Sequence, residues 1–210
     1  MSNAALTQDD TVASAKRQQI LEGARRCFLA QGFDGASIND IVKAAGVSKG
    51  TVYAYFPSKE KLFEALVYQD RRRQAEQAVV INDDGRPMRD VLIELGLRMA
   101  QRMTSDEAIA QVRMVAAAAG KFPEIGSSFF EAGPGFAIGR IADYFKTKMQ
   151  AGQLQHADAE LAAIHFIDLT SGPLLKPCLF GAKHLLKPRS AEDVVAAGVD
   201  LFLRGYGLHG

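Results

Sequence analysis

Residues 37–66 read SINDIVKAAGVSKGTVYAYFPSKEKLFEAL, and the spacing inside this stretch decides the fold. Ser37, with Asp40 three residues on, is a capping-box-like helix start. Ile38, Ile41, Val42 and Ala45 then recur at the interval that gathers apolar side chains on one helical face. Ala45-Gly46-Val47-Ser48 is a tight turn: Gly46 supplies the left-handed backbone, and Val47 covers the small core between two helices. Ser48 caps a second helix of barely two turns, with Val52 and Phe56 facing inward. Pro57 stops that helix, and Ser58 caps a longer one carrying Leu62, Phe63, Leu66 and Val67. Two helices joined this closely across a glycine turn form a helix-turn-helix.

The same periodicity extends in both directions. Upstream, Ile20, Ala24, Cys27 and Phe28 define a helix that starts near Ser14 and ends at Gly32. Residues 1–13 show no periodic face and read as a disordered N-terminus or tag remnant, Ser2-Asn3-Ala4 resembling a cloning scar. Downstream, Asn82-Asp83-Asp84-Gly85 is a loop, and Pro87 opens a helix reaching Met103. Further helices are expected from Ser105 to Gly120, from Gly135 to Ala151 and from Asp158 to Thr170. Pro173 and Pro177 predict an irregular or interrupted stretch over 172–181, and Ser190 caps a last helix to Gly205. No segment alternates with the period of a strand. The expected class is all-α: a three-helix helix-turn-helix domain over 14–60, joined by a fourth helix to a helical bundle within 61–210.

Composition narrows the functional classes. Two cysteines, Cys27 and Cys178, are too few for a disulfide framework, and the four histidines lack the pair spacings of a zinc site. No paired carboxylates or nucleophile–base motif stand out, and 133–139 (GPGFAIG) has neither the preceding strand nor the spacing of a nucleotide loop. No enzyme site, metal or cofactor is expected. The absence of an apolar run of ~18 residues and of a secretory core predicts a cytoplasmic protein with no membrane association. The net charge of +1 argues against a nucleic-acid partner only when averaged over the whole chain. Residues 14–75 hold eleven Lys and Arg against six Asp and Glu, a local +5.

The short second helix offers Lys49, Gly50, Thr51, Tyr53 and Tyr55 on the faces not used by Val52 and Phe56. A cation, a close-approach glycine, a hydroxyl and two phenols suit a phosphate-lined groove. Over residues 16–66 the chain resembles the TetR family of transcriptional regulators. The resemblance rests on Ile20, Ala24, Phe28, Gly32-Phe33, Ser37 and Ile41, and above all on the run from Ala45 to Tyr53 with Tyr55-Phe56-Pro57-Ser58-Lys59. It implies a double-stranded DNA operator as partner. Ser37 and Ser48 would bind phosphates as well as cap helices, and Lys49, Gly50, Thr51 and Tyr53 would face the major groove. Tyr55 and Lys59 would hold the DNA backbone on either side. The caps alone carry little weight, since Ser37, Ser48 and Ser58 would be present in any such helices. The Arg71-Arg72-Arg73 run lies beyond the motif and reads as solvated or inter-domain.

Residues 122–134 resemble the AefR-like type of C-terminal domain in the same family. That resemblance implies an unidentified small-molecule inducer held inside the bundle and a homodimer formed by late helices. The pocket would draw on Met99, Met103, Met114, Phe122, Phe129 and Phe166, with Arg113 and His165 as polar residues in apolar stretches. Each of these also fits a plain core position, His165 included. Helices 135–151 and 190–204 are the dimer candidates, the latter equally readable as a central helix of the bundle. The expected function is a homodimeric, ligand-responsive repressor on a palindromic operator. A helical interaction module, or a small helical enzyme with a non-functional helix-turn-helix, would share the helical pattern alone.

Overall fold

The structure, a computed structural model, describes residues 8–185 and 187–208, with side chains described from Ala13 onward. Among these residues it is helical, with no strand beyond one isolated antiparallel bridge between Leu154 and Gly207. The chain divides into two compact units. One comprises Met1–Gln69 with Met114–Ser128, the other Asp70–Arg113 with Phe129–Gly210.

The first unit is built on α1 (Gln8–Gly35), α2 (Ile38–Ala45), α3 (Lys49–Tyr55) and the start of α4 (Lys59–Ala78). Helix α1 begins six residues before the expected Ser14, so the aperiodic reading fails from Gln8 onward; residues 1–7 lie outside the described residues. The helix breaks at Gly32 (φ +72°), where the sequence expected it to end. Ile20, Leu21, Phe28, Ile41, Val52, Leu62 and Phe63 are fully or almost fully buried and form the core. Phe63 meets Phe28 edge-on at 4.8 Å and Phe33 at 4.9 Å. Helices α1 and α2 touch at Gly23: a Cβ there would lie 2.6 Å from Ala45 Cβ and 2.7 Å from Ala45 N. Gly46 takes the left-handed conformation (φ 64°, ψ 39°) that the turn between α2 and α3 demands.

The second unit contains α5 (Met88–Met103), α8 (Phe136–Gln150), α9 (Ala159–Leu179) and α10 (Ala191–Tyr206), while α6 (Asp106–Ala119) and α7 (Pro123–Phe130) straddle or adjoin the division. Leu92, Leu95, Met99, Ile141, Phe145, Phe166, Val195, Val199 and Phe202 make one continuous core. Two expectations are corrected here. The segment at Gly133-Pro134-Gly135 does not break the chain but runs as a π-helical turn, Glu131–Gly135, straight into α8. Helix α9 continues for 21 residues through Pro173 and Pro177 instead of ending near Thr170. Pro173 has no N–H to give the carbonyl of Leu169. That same carbonyl is met by α10 at Gly198, where a Cβ would sit only 2.6 Å from Leu169 O. A glycine Cα–H against the freed carbonyl compensates in part for the lost bond and brings α9 and α10 into close contact.

Candidate nucleic-acid interface

Helix α3 carries the candidate DNA-facing residues, and its N-terminus is tied together by hydroxyls. Ser48 Oγ accepts from the Thr51 backbone N–H at 3.0 Å and lies 2.7 Å from Thr51 Oγ1. Val52 is fully buried and Phe56 nearly so, as the spacing requires. Lys49 and Gly50 are exposed, Tyr53 is 43% exposed, and Thr51 and Tyr55 are half-buried.

Gly50 is the telling position. Among the described residues a Cβ there would meet only Ser48 Oγ, at 3.8 Å, so none of them calls for glycine. Glycine within a helix costs roughly 0.5–1 kcal/mol relative to alanine. An unforced destabilising choice on an exposed face, beside a lysine and a tyrosine, fits a surface that something outside the chain must approach closely.

Two expected phosphate ligands are placed differently. Ser37 caps α2 in a complete capping box: its Oγ accepts from Asp40 N–H at 3.2 Å, and its hydroxyl lies 2.6 Å from the Asp40 carboxylate, donating to it. The Ser37 backbone N–H also points to Asp40 Oδ2, at 3.3 Å. Both donors of Ser37 are therefore engaged within the cap. That hydroxyl bond holds the Asp40 carboxyl below the usual carboxylate range. Lys59 is half-buried, not free at the surface: its Nζ donates to Phe33 O at 2.8 Å and Ala36 O at 3.1 Å, and sits 4.5 Å from the Phe33 ring centre. An ammonium on the last carbonyls of α1 also complements that helix end. Lys59 straps α4 to α1, and at most one of its three N–H donors remains for DNA. Sequence spacing could place Lys59 beside the recognition helix but could not show where its long stem would lead.

The eight expected pocket residues are divided between the two units, two in the first and six in the second. Met99 and Phe166 lie inside the core of the second unit, and Met103 packs at its edge. Arg113 donates from Nε to Leu179 O at 2.8 Å and from Nη2 to Cys178 O at 2.9 Å, capping the end of α9. Met114 and Phe122 belong to the first unit, where Phe122 meets Phe33 at 5.4 Å. His165 is exposed, its Nδ1 2.7 Å from Tyr206 Oη, so the core-histidine reading is also corrected. Phe129 lies under the Arg71 guanidinium at 4.1 Å. A cleft of about 1360 Å³ between α5, the end of α9 and the segment before α10 is lined by none of the eight. Arg71, expected with its neighbours to be solvated or inter-domain, is half-buried: it falls four residues after buried Val67 and four before buried Ala75 on α4, a detectable cation on an apolar stripe.

Among the described residues no group of His, Cys, Asp and Glu could hold a metal ion, and no helix is long and apolar enough to cross a membrane.

Comparison with known proteins supplies the remaining context. Residues 20–66 match the family model described as bacterial regulatory proteins, tetR family. Residues 90–208 match the model of the AefR-like transcriptional repressor, C-terminal domain. The HTH-type transcriptional repressor AcnR of Corynebacterium diphtheriae is 42% identical over 85 residues, 40% of this chain and 43% of that one. The matched part thus spans less than half the length of that curated relative. Similarity to solved structures is more extensive. The flavonoid-responsive regulator FrrA is 30% identical with a TM-score of 0.81, over 94% of this chain and 100% of that one. A Mesorhizobium loti protein described as a TetR-family regulator is 26% identical with a TM-score of 0.84, over 97% of this chain and 100% of that one.

Proposed function

The chain belongs to the TetR family of transcriptional regulators, and from that premise we propose that it is a cytoplasmic homodimeric repressor released from a palindromic operator by a small molecule. The observation that carries this reading is the exposed α3 face, where Lys49, Gly50 and Tyr53 serve no need of the fold. Lys49, Thr51 and Tyr53 read base edges, and Ser48 and Tyr55 contact phosphates. Two copies of α3, about one helical turn of DNA apart, enter successive major grooves.

The dimer face is assigned to α9 and α10. Leu161, His165 and Asp168 on α9 and Ala197, Leu201 and Gly205 on α10 are exposed, with Leu161 at 46% and Leu201 at 50%. Apolar side chains on adjacent helices make a face suited to a self-complementary contact. Helix α8 is the weaker candidate, because its outward side carries Arg140, Asp143, Lys146 and Gln150. The likeness to a regulator named as flavonoid-responsive supports a small-molecule response in the second unit. Coupling between ligand and operator is ~1–3 kcal/mol and reciprocal, so operator weakens ligand binding by the same factor.

Selection of bound duplexes from a random pool, followed by sequencing, tests the reading. The expected product is an inverted repeat whose affinity falls steeply with salt, the slope growing by ~0.9 for each phosphate contact. Tyr53→Ala is expected to lower operator affinity ~10-fold without altering the melting temperature. Enrichment of no motif, or binding indifferent to salt, sinks it.

A further inference from the structure

Within the second unit, the first arginine of the Arg71-Arg72-Arg73 run is half-buried, with its hydrogen bonding incomplete. Arg71 Nη1 donates to Gln74 Oε1 at 3.0 Å, while its Nε is buried with no acceptor. One face of the guanidinium lies 4.1 Å from the Phe129 ring centre, and the backbone of the π-helical turn packs along the stem at Gly133. π-turns inside helices often mark functional sites. Burial outweighs the fields of Asp70 and Glu107 and pulls the guanidinium down to about 10. A half-buried cation with a buried N–H left without an acceptor can still take an anion there.

A second orphan lies in the same unit. Gln111 is 6% exposed, and its Oε1 has no donor. It stands one turn beyond Glu107 on α6, on the same stripe, and Glu107 is close enough to Arg71 to act on its charge. Glu107 and Gln74 also line a polar cleft of about 300 Å³ whose other walls include Arg73 and Arg102. One carboxylate against two arginines in that cleft leaves an excess of positive charge, which draws anions.

We propose that the second unit binds a small organic acid, its carboxylate on the Nε edge of Arg71 and a hydroxyl donating to Gln111 Oε1, with the Phe129 ring beside it. The Nε–Nη2 side of a guanidinium is a fork that takes a carboxylate bidentately, and Gln111 Oε1 selects acids that also carry a donor. This deepens the proposed small-molecule response and rests on it for its regulatory meaning, though not for the binding itself.

The probe is 4-hydroxybenzoate, compared with its methyl ester and with benzoate, titrated calorimetrically into the full chain. The acid is expected to bind at least ~10-fold more tightly than the ester, a charge-assisted bond being worth ~1.5–3 kcal/mol. Arg71→Met removes this preference, and Arg71→Lys, which keeps the charge without the fork, recovers only part of it. Gln111→Leu weakens 4-hydroxybenzoate but leaves benzoate unchanged. Equal binding of acid and ester, undiminished acid binding by Arg71→Lys and Arg71→Met, or no acid bound below about 1 mM overturns the proposal. Operator release is measured in parallel. An acid that binds without releasing DNA leaves the Arg71 site standing and removes the inducer reading. Release by neutral compounds alone, with no acid bound, does the reverse.

Discussion

The two units differ in how completely their side-chain polar atoms are satisfied. In the first, the cap hydroxyls of Ser37 and Ser48, the Gln19 amide and the Lys59 ammonium all find partners within a few residues or across a helix contact. In the second, Arg71 Nε, Gln111 Oε1, Tyr144 Oη and Ser171 Oγ are buried with none; all four such atoms among the described residues lie there. Burial and a neighbouring Asp83 push the Tyr144 phenol up to about 12. A unit whose interior is closed holds one shape and presents a fixed surface. One with several unsatisfied buried groups stands above its best free energy and can be stabilised by a binding event.

That contrast can be broken at its tightest contacts first. Gly23→Ala forces apart α1 and α2, and Gly198→Ala drives a Cβ into the Leu169 carbonyl. Each is expected to destabilise its own unit by ~1–3 kcal/mol or more, read as unit-specific loss of amide exchange protection. Uniform loss across both units in either variant would mean that they do not open separately.

A comparable cost is expected for Lys59→Met, which strips two carbonyls of a charged donor: ~1.5–3 kcal/mol by chemical denaturation, confined to the first unit. If Lys59 acted mainly on DNA, stability would hold and only affinity would fall.

The same substitution in each unit then separates closed from open interiors. Ser37→Ala removes a satisfied cap and is expected to cost about 1 kcal/mol. Ser171→Ala removes a fully buried hydroxyl with no partner and is expected to be neutral or stabilising. A destabilised Ser171→Ala would show that its hydroxyl is satisfied after all.

The smallest effect is one of pH. The Asp40 carboxyl is lowered in the folded chain by the Ser37 hydroxyl, so its contribution is present above the unfolded value near 3.9. It disappears as pH falls through the folded value. Asp40→Asn is expected to flatten that acid limb slightly in melts between pH 5 and 2, roughly the window in which a depressed carboxylate titrates. An unchanged limb would dissociate the cap from stability.

The helix-turn-helix was legible because every device that makes it is local: a capping serine three residues before its partner, a left-handed glycine, a proline stop. The buried stripes of α2 and α3 follow from the same short spacings. What was not legible depends on distant partners. Gly198, 25 residues beyond Pro173 in the sequence, faces the α9 carbonyl that the proline leaves free. Lys59 was expected to hold the DNA backbone; its two acceptors, Phe33 O and Ala36 O, lie at the end of α1, beyond the reach of any local pattern. The expected pocket was built from methionines and phenylalanines, the residue types that also fill plain cores, and it missed Arg71 and Gln111. Those were visible only as polar residues on apolar helical stripes.

The Ser48–Thr51 pair has one more consequence. Two hydroxyls 2.7 Å apart own two protons, and their mutual bond occupies one of them. Whichever residue donates inward, the other is left holding the single proton that faces out. Rotation about the two C–O bonds exchanges which hydroxyl turns its own proton outward, Ser48 at the helix cap or Thr51 one turn into the helix, with no backbone movement and no proton transferred. The tip of α3 is thus a two-position rotor that can answer an acceptor at either place but not at both.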